Sequence, residues 1–88
     1  MVNTEYIIGL NSDAFRTVRI VLGLSSSELS NICCISRQTL SALENGSHVS
    51  DSTKLLVGLV LADISRTAQD RHVKAYCESL LFGNEERA

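Results

Sequence analysis

The chain has 88 residues, of which 44% are hydrophobic and 20% are charged, and its formal net charge is −2. These values are ordinary for one globular domain and exclude a disordered chain. The absence of proline and the low aromatic content of 5% favour helices over a sheet. No stretch combines a basic N-terminal region with a long apolar run, so we expect a cytoplasmic chain outside the membrane. The predicted fold class is all-α, a compact bundle of about five helices.

The N-terminal segment, residues 1–10, contains a short apolar cluster before Gly9. Its pattern is too short to choose between a frayed arm, an extra helical turn and an edge strand. We expect Tyr6, Ile7 and Ile8 to pack against the core or against a partner chain.

The first clear helix signal follows this segment. Asn11 or Ser12 can cap its start and Gly23 can end it, which predicts a helix over about residues 13–22. Its apolar positions recur at spacings of three and four, which places them on one face of the helix. They are Ala14, Phe15, Val18 and Leu22.

Two short helices separated by a tight turn are predicted between residues 25 and 46. Ser25 stands three residues before Glu28, which is the spacing of a capping box, and it predicts a helix over about residues 26–32. Ser36 caps a second helix over about residues 37–44, and Asn45 and Gly46 end it. Two helices joined so closely form a helix-turn-helix.

The two faces of this unit carry different residue types. We expect the apolar residues to point inward: Leu29, Ile32, Ile35, Leu40 and Leu43. The residues left pointing outward on the second helix are Arg37, Gln38 and Ser41, with Thr39 and Ala42 beside them. Arginine matches the two acceptors of guanine, glutamine matches the donor and acceptor of adenine, and a small residue can contact the thymine methyl group. This set of side chains suits the major groove of double-stranded DNA.

Residues 15–46 resemble the helix-turn-helix domains of the lambdoid phage repressor and Cro family, also called the Xre type. The residues that carry the resemblance are Arg19, Leu22-Gly23-Leu24-Ser25, Glu28-Leu29, Ile35-Ser36, Leu40 and Leu43-Glu44-Asn45-Gly46. The resemblance implies that Arg19 and Glu44 form a structural ion pair. It also implies that the helix opened by Ser36 contacts base edges through Arg37, Gln38, Ser41 and Ala42, while Ser26 and Asn45 contact phosphates.

The chain departs from the family pattern at two places. Cys34 occupies the turn position that usually holds glycine, where a positive backbone angle would be strained. After Gly46 the family usually has a basic residue and proline, whereas this chain has Ser47, His48, Val49 and Ser50. The missing cations leave few positive charges for phosphate.

The three cysteines, Cys33, Cys34 and Cys77, are an odd number, which argues against a disulfide framework and for a reducing compartment. No further ligands stand at a spacing typical of a zinc site, so we predict no metal. We expect Cys33 and Cys34 to be small buried apolar residues near the turn.

Two further helices are predicted after the helix-turn-helix. The first starts at the caps Ser50 to Ser52 and is apolar all round from residue 55 to residue 62, with Gly58 marking a close helix crossing. The second is an additional amphipathic helix over about residues 65–82, ended by Gly83. Its apolar stripe is Val73, Tyr76, Cys77, Leu80 and Leu81. We interpret residues 1–88 as a single domain with a core over about residues 12–63, and either late helix could form a homodimer contact.

No catalytic set is visible. His48 and His72 lie in different elements without a carboxylate at a suitable spacing, and the serines stand at helix starts, where capping explains them. We therefore predict no enzyme activity and no cofactor. The leading hypothesis is a sequence-specific DNA-binding transcriptional regulator, a repressor that acts as a homodimer. The alternative is a protein-interaction module that keeps the fold, such as an antirepressor or an antitoxin with a protein partner, which the acidic charge and the missing cations favour.

Overall fold

The computed structural model describes residues 4–82, which form six α-helices and no strand. The helices are α1 (Thr4–Ile8), α2 (Ser12–Val21), α3 (Ser26–Cys33), α4 (Arg37–Glu44), α5 (Asp51–Arg66) and α6 (Arg71–Phe82). The all-α prediction is confirmed. The described part has one helix more than expected because the N-terminal apolar cluster, whose structure the sequence left open, forms α1. The predicted stop at Gly83 and the tail after it lie outside the described residues.

The helix starts are set by short side-chain caps. Asn11 Oδ1 accepts the backbone N–H of Asp13 at 3.1 Å, which decides between the two candidate caps for α2. Ser25 Oγ accepts the N–H of Glu28 at 3.0 Å, and Glu28 Oε1 accepts the N–H of Ser25 at 2.8 Å, so the capping box before α3 is complete. Each bond satisfies a donor that the helix itself leaves without a partner.

The same rule applies to the next two helices. Ser36 Oγ accepts the N–H of Thr39 at 3.0 Å, and Ser50 Oγ accepts that of Thr53 at 3.2 Å. These caps start α4 and α5 at the residues that the sequence predicted.

All six helices contribute to one hydrophobic core. Its buried residues are Ile7, Phe15, Val18, Leu29, Cys33, Leu40, Leu43, Val57, Leu61, Ala62, Cys77 and Leu81. The longest helix, α5, packs against α1, α2, α3 and α6 and so joins the helix-turn-helix to both ends of the described chain. Each fully buried large apolar side chain stabilises the fold by roughly 1.5–3 kcal/mol. This packing holds α3 and α4 in place, since helices of eight residues are not stable alone.

The helices α1 and α5 cross at Gly58, which is buried. A Cβ atom at this position would overlap Cγ2 of Ile7, which is itself buried. The predicted close crossing at Gly58 is therefore confirmed, and its partner is the N-terminal helix.

The start of the last helix was predicted wrongly. Ser65 does not cap a new helix; it lies buried inside α5, where its Oγ donates to the carbonyl of Ala62 at 2.8 Å. The last helix begins at Arg71 instead, because Asp70 Oδ1 accepts the N–H groups of His72 at 2.8 Å and Val73 at 3.3 Å. A serine that bonds back to its own helix cannot also act as an N-cap.

Three residues expected to be inside are exposed. Ile32 is 51% exposed, since the inward face of α3 is occupied by Leu29 and Cys33, four residues apart. Tyr76 is 49% exposed and lies outside the buried line of α6. Cys34 is exposed in the turn, so the expectation that both adjacent cysteines are buried holds for Cys33 alone. Hydrophobic spacing locates a face only to within about one residue on each flank.

Candidate functional site

The turn between α3 and α4 is short and closed by backbone hydrogen bonds. Cys34 ends α3 in the left-handed conformation, at φ 59° and ψ 40°. The next N–H, that of Ile35, donates to the carbonyl of Ser30 at 3.0 Å. Ser36 then caps α4 directly. The chain thus keeps the left-handed turn that the family builds with glycine, although a residue with a Cβ adopts this conformation at a cost of about 1–2 kcal/mol.

A buried ion pair fixes the far end of α4 against α2. Arg19 Nε donates to Glu44 Oε2 at 2.7 Å, and Arg19 Nη2 donates to Glu44 Oε1 at 3.1 Å. The remaining terminal nitrogen, Nη1, donates to the carbonyl of Leu24 at 2.9 Å. The side chains are only 12% and 8% exposed, and within the described residues no buried side-chain polar atom lacks a partner. This bidentate geometry holds α2, the α2–α3 loop and the end of α4 together.

The exposed start of α4 carries the polar side chains proposed to contact bases. Arg37, Gln38 and Ser41 are exposed, and together with half-buried Ser26 of α3 they line one shallow depression. Within residues 4–82, neither Arg37 nor Gln38 makes a side-chain hydrogen bond or ion pair. A guanidinium and a carboxamide therefore stand side by side with all their donors and acceptors available to a ligand.

The other predicted site residues have different surroundings. Asn45 caps the C-terminal end of α4, one turn after Ser41, and its Nδ2 donates to Ser41 Oγ at 3.2 Å. Ser36 Oγ lies 2.9 Å from Thr39 Oγ1 in addition to its capping bond, so its hydroxyl is used inside the protein. Ala42 is half-buried. The structure thus brings four of the seven predicted residues to one depression, with Asn45 attached to it through Ser41.

Positive charge near this surface is sparse. Arg37 is the only lysine or arginine between Arg19 and Lys54, and Arg19 is occupied by its ion pair. Lys54, from the first turn of α5, lines a depression with Gly46 and Ser47, which follow Asn45 at the end of α4. Sequence reasoning did not place Lys54 at the site, because only the packing of α5 brings it to the end of α4.

The thiols are not equivalent. Burial raises the pKa of Cys33, with a smaller contribution from neighbouring Cys34, and burial next to Glu78 raises the pKa of Cys77. Both are therefore kept as neutral, unreactive thiols, whereas Cys34 is exposed. Within residues 4–82, no three His, Cys, Asp or Glu side chains gather as a metal site would require.

None of the helices between residues 4 and 82 has the length and apolar character needed to cross a bilayer. The longest, α5, has 16 residues and ends in charged ones. A bilayer-spanning helix needs about 20 mostly apolar residues.

Comparison with known proteins agrees with this geometry. Residues 15–55 match a family model described as helix-turn-helix, which covers most of α2, all of α3 and α4, and the start of α5. No curated protein and no solved structure matches the chain. The resemblance inferred from the sequence is confirmed: over residues 15–55 the chain carries a helix-turn-helix domain of the Xre and lambda repressor type, a family of DNA-binding regulators.

Proposed function

We propose that this protein is a sequence-specific transcriptional regulator that inserts the start of α4 into the major groove of DNA. The observation that carries the proposal is the pair Arg37 and Gln38, exposed and without partners among residues 4–82. An α-helix fits the width of the major groove, and base edges there present distinct patterns of donors and acceptors. The Arg19–Glu44 ion pair keeps α4 rigid, which limits the entropy lost on binding.

The side chains divide into base-reading and phosphate-binding groups. Arg37 donates two hydrogen bonds to O6 and N7 of guanine, and Gln38 bonds N6 and N7 of adenine. Ser41 and the Ala42 methyl group contact the next base along the groove. The flanking polar groups of Ser26, Asn45 and Lys54 approach phosphates and set the position of the helix.

We propose that the protein binds DNA as a homodimer, because one protomer offers few positive charges to the phosphates. Two copies related by a two-fold axis would read symmetric half-sites separated by one helical turn of DNA, about 34–36 Å. A dimer on such an operator blocks a promoter by occupying it, which makes repression the proposed sign of regulation.

Selection from a random duplex library would identify the operator, and variants would then test the base assignments. We expect Arg37→Ala to lose about 1–3 kcal/mol of discrimination at one base pair, and Gln38→Ala a similar amount at its neighbour. Matched controls are Arg71→Ala and Gln69→Ala, since both residues are exposed and belong to the start of α6 and the segment before it. If the variants at positions 37 and 38 bind every duplex as the parent does, the recognition assignment is wrong.

Salt dependence gives a second test. The logarithm of the binding constant falls by about 0.9 per phosphate neutralised for each unit of log salt concentration. With Lys54 as the one cation assigned to phosphate, we expect a shallow slope of about −1 per half-site. A chain that does not bind any duplex at low salt, but forms a stoichiometric complex with a host protein, would instead be an interaction module such as an antirepressor or antitoxin.

A further inference from the structure

The outward side of α5 carries an apolar patch with polar ends. Leu56 and Leu59 are 40% and 39% exposed, although the helix buries Val57 and Leu61 on its other side. Half-buried Leu55 and Val60 extend the patch on either flank. With 100° between successive residues of an α-helix, these four residues share one face.

Ser52 and Asp63 lie on the same face, one at each end of the patch, and both are exposed. The face, which we call the α5 patch, therefore consists of Ser52, Leu55, Leu56, Leu59, Val60 and Asp63. An apolar centre with a polar rim is the general arrangement of protein interfaces.

The α5 patch is complementary to itself when two copies of α5 run antiparallel. If Leu56 lies opposite Leu59 of a second copy, Leu55 and Val60 flank this apolar pair, one on each side of the helix. The spacing along the helix also sets Ser52 opposite Asp63. Leu56 and Leu59 of the two copies then meet at the centre of the contact, and each end pairs a hydroxyl donor with a carboxylate.

Charge favours the antiparallel arrangement over the parallel one. In the antiparallel register, Asp63 of each copy and Arg66, which pairs with it at 3.1 Å, lie beside the first turn of the other copy's α5. There the helix dipole is positive, which favours Asp63, and Asp51 supplies a negative charge for Arg66. In a parallel register, Asp63 would meet Asp63, and like charges in contact are destabilising. An antiparallel contact is also isologous, as a closed two-fold dimer requires.

The two exposed isoleucines, Ile20 and Ile32, do not form such a patch. Ile20 is exposed on α2 among Asp13 and Arg16, and Ile32 stands at the end of α3 after exposed Asn31. A single exposed apolar side chain among polar neighbours is common on protein surfaces.

We propose that the α5 patch is the homodimer interface of this protein, covered by the α5 patch of a second copy in antiparallel orientation. This proposal names the surface for the dimer of the proposed function, but the contact itself forms without DNA. It also accounts for the exposure of Leu56 and Leu59 on α5.

Sedimentation equilibrium of the full chain, without DNA, tests the interface. We expect a concentration-dependent dimer whose dissociation constant rises roughly tenfold or more in Leu56→Glu and Leu59→Glu. Ile20→Glu is the matched control and should change it by less than about twofold. Circular dichroism checks that all three variants are folded, as expected for changes at exposed positions. A parent chain that stays monomeric at all concentrations, or a dimer lost in Ile20→Glu alone, would overturn the proposal.

Cross-linking tests the register. In a Cys34→Ser background, Ser52→Cys together with Asp63→Cys should form a disulfide-linked dimer under mild oxidation. Asp63→Cys alone should not, because the two copies of residue 63 are then about 16 Å apart, beyond the reach of a disulfide. Efficient linkage by Asp63→Cys alone would show a parallel contact and contradict the proposal.

The two proposals fail in different ways. If the parent chain forms no dimer but Arg37 still discriminates between bases, the α5 patch is rejected as an interface and the proposed regulator function stands. A dimer that forms as described, with no effect of Arg37→Ala on any duplex, would reject the regulator and keep the interface.

Discussion

The crossing of α1 and α5 at Gly58 makes a prediction with two opposing effects. Replacing glycine by alanine inside a helix normally stabilises it by about 1 kcal/mol, since alanine loses less backbone entropy on folding. At Gly58, however, the added methyl group would overlap Cγ2 of Ile7 and lie 3.6 Å from its Cβ and Cδ1. Cγ2 is bonded directly to the Cβ of Ile7, close to the backbone, so the side chain has little freedom to move this atom out of contact.

The magnitude follows from how the overlap can be relieved. Overpacking a filled core costs about 1–3 kcal/mol. The cost cannot exceed that of separating α1 from α5, which would expose Ile7 and lose about 1.5–3 kcal/mol of burial free energy. After subtraction of the helix-propensity gain, we expect Gly58→Ala to lower the free energy of unfolding by up to about 2 kcal/mol.

Urea denaturation followed by circular dichroism measures this difference. Gly9→Ala is a suitable control, since its added methyl group would lie 3.5 Å from the carbonyl of Glu5, an ordinary contact. Ile7→Ala removes Cγ2 and should cost about 2–5 kcal/mol alone. Combined with Gly58→Ala it should cost less than the sum of the two, because the new methyl group then occupies part of the cavity.

Two outcomes would refute this reasoning. One is a Gly58→Ala variant that gains stability, as a glycine in an open part of a helix would. The other is strict additivity of Ile7→Ala and Gly58→Ala, which would show that the two residues do not touch.

Four other predictions concern the ion pair and the cysteines. Glu44→Ala should lower the free energy of unfolding by about 3 kcal/mol, because Arg19 is left buried without its partner. The double change Arg19→Met with Glu44→Leu should recover most of this loss in the same urea assay, because it leaves no charge unpaired. Cys34→Gly should stabilise the chain by about 1 kcal/mol, since glycine adopts the left-handed turn without strain, and an unchanged or lower melting temperature would contradict this. A thiol reagent should modify Cys34 rapidly, and Cys33 and Cys77 only at the rate of unfolding. The fold raises the pKa of both buried thiols, so the unfolded chain loses these protons at a lower pH than the folded chain does. The free energy of unfolding should therefore fall as the pH rises above the ordinary thiol range. The fall should be less steep in Cys33→Ala, which lacks one of the two thiols.

Much of the functional region is predictable from short-range signals. The serine caps act over three residues, and they place the starts of α3, α4 and α5 where the structure has them. The order of apolar and polar positions between residues 25 and 46 is likewise sufficient to predict the helix-turn-helix and the polar side chains that α4 exposes. Local hydrogen bonds and steric preferences decide these features, so no distant residue is needed to infer them.

Other features depend on which helices meet in space. The sequence by itself determined the helix-turn-helix and the residues that α4 exposes. Only the tertiary structure decided that Ile7 packs directly against Gly58, that Ile32 points outward and that Lys54 lies beside the end of α4. The physical reason is that caps and turns are settled within a few residues, whereas burial and proximity depend on the packing of segments far apart in the chain.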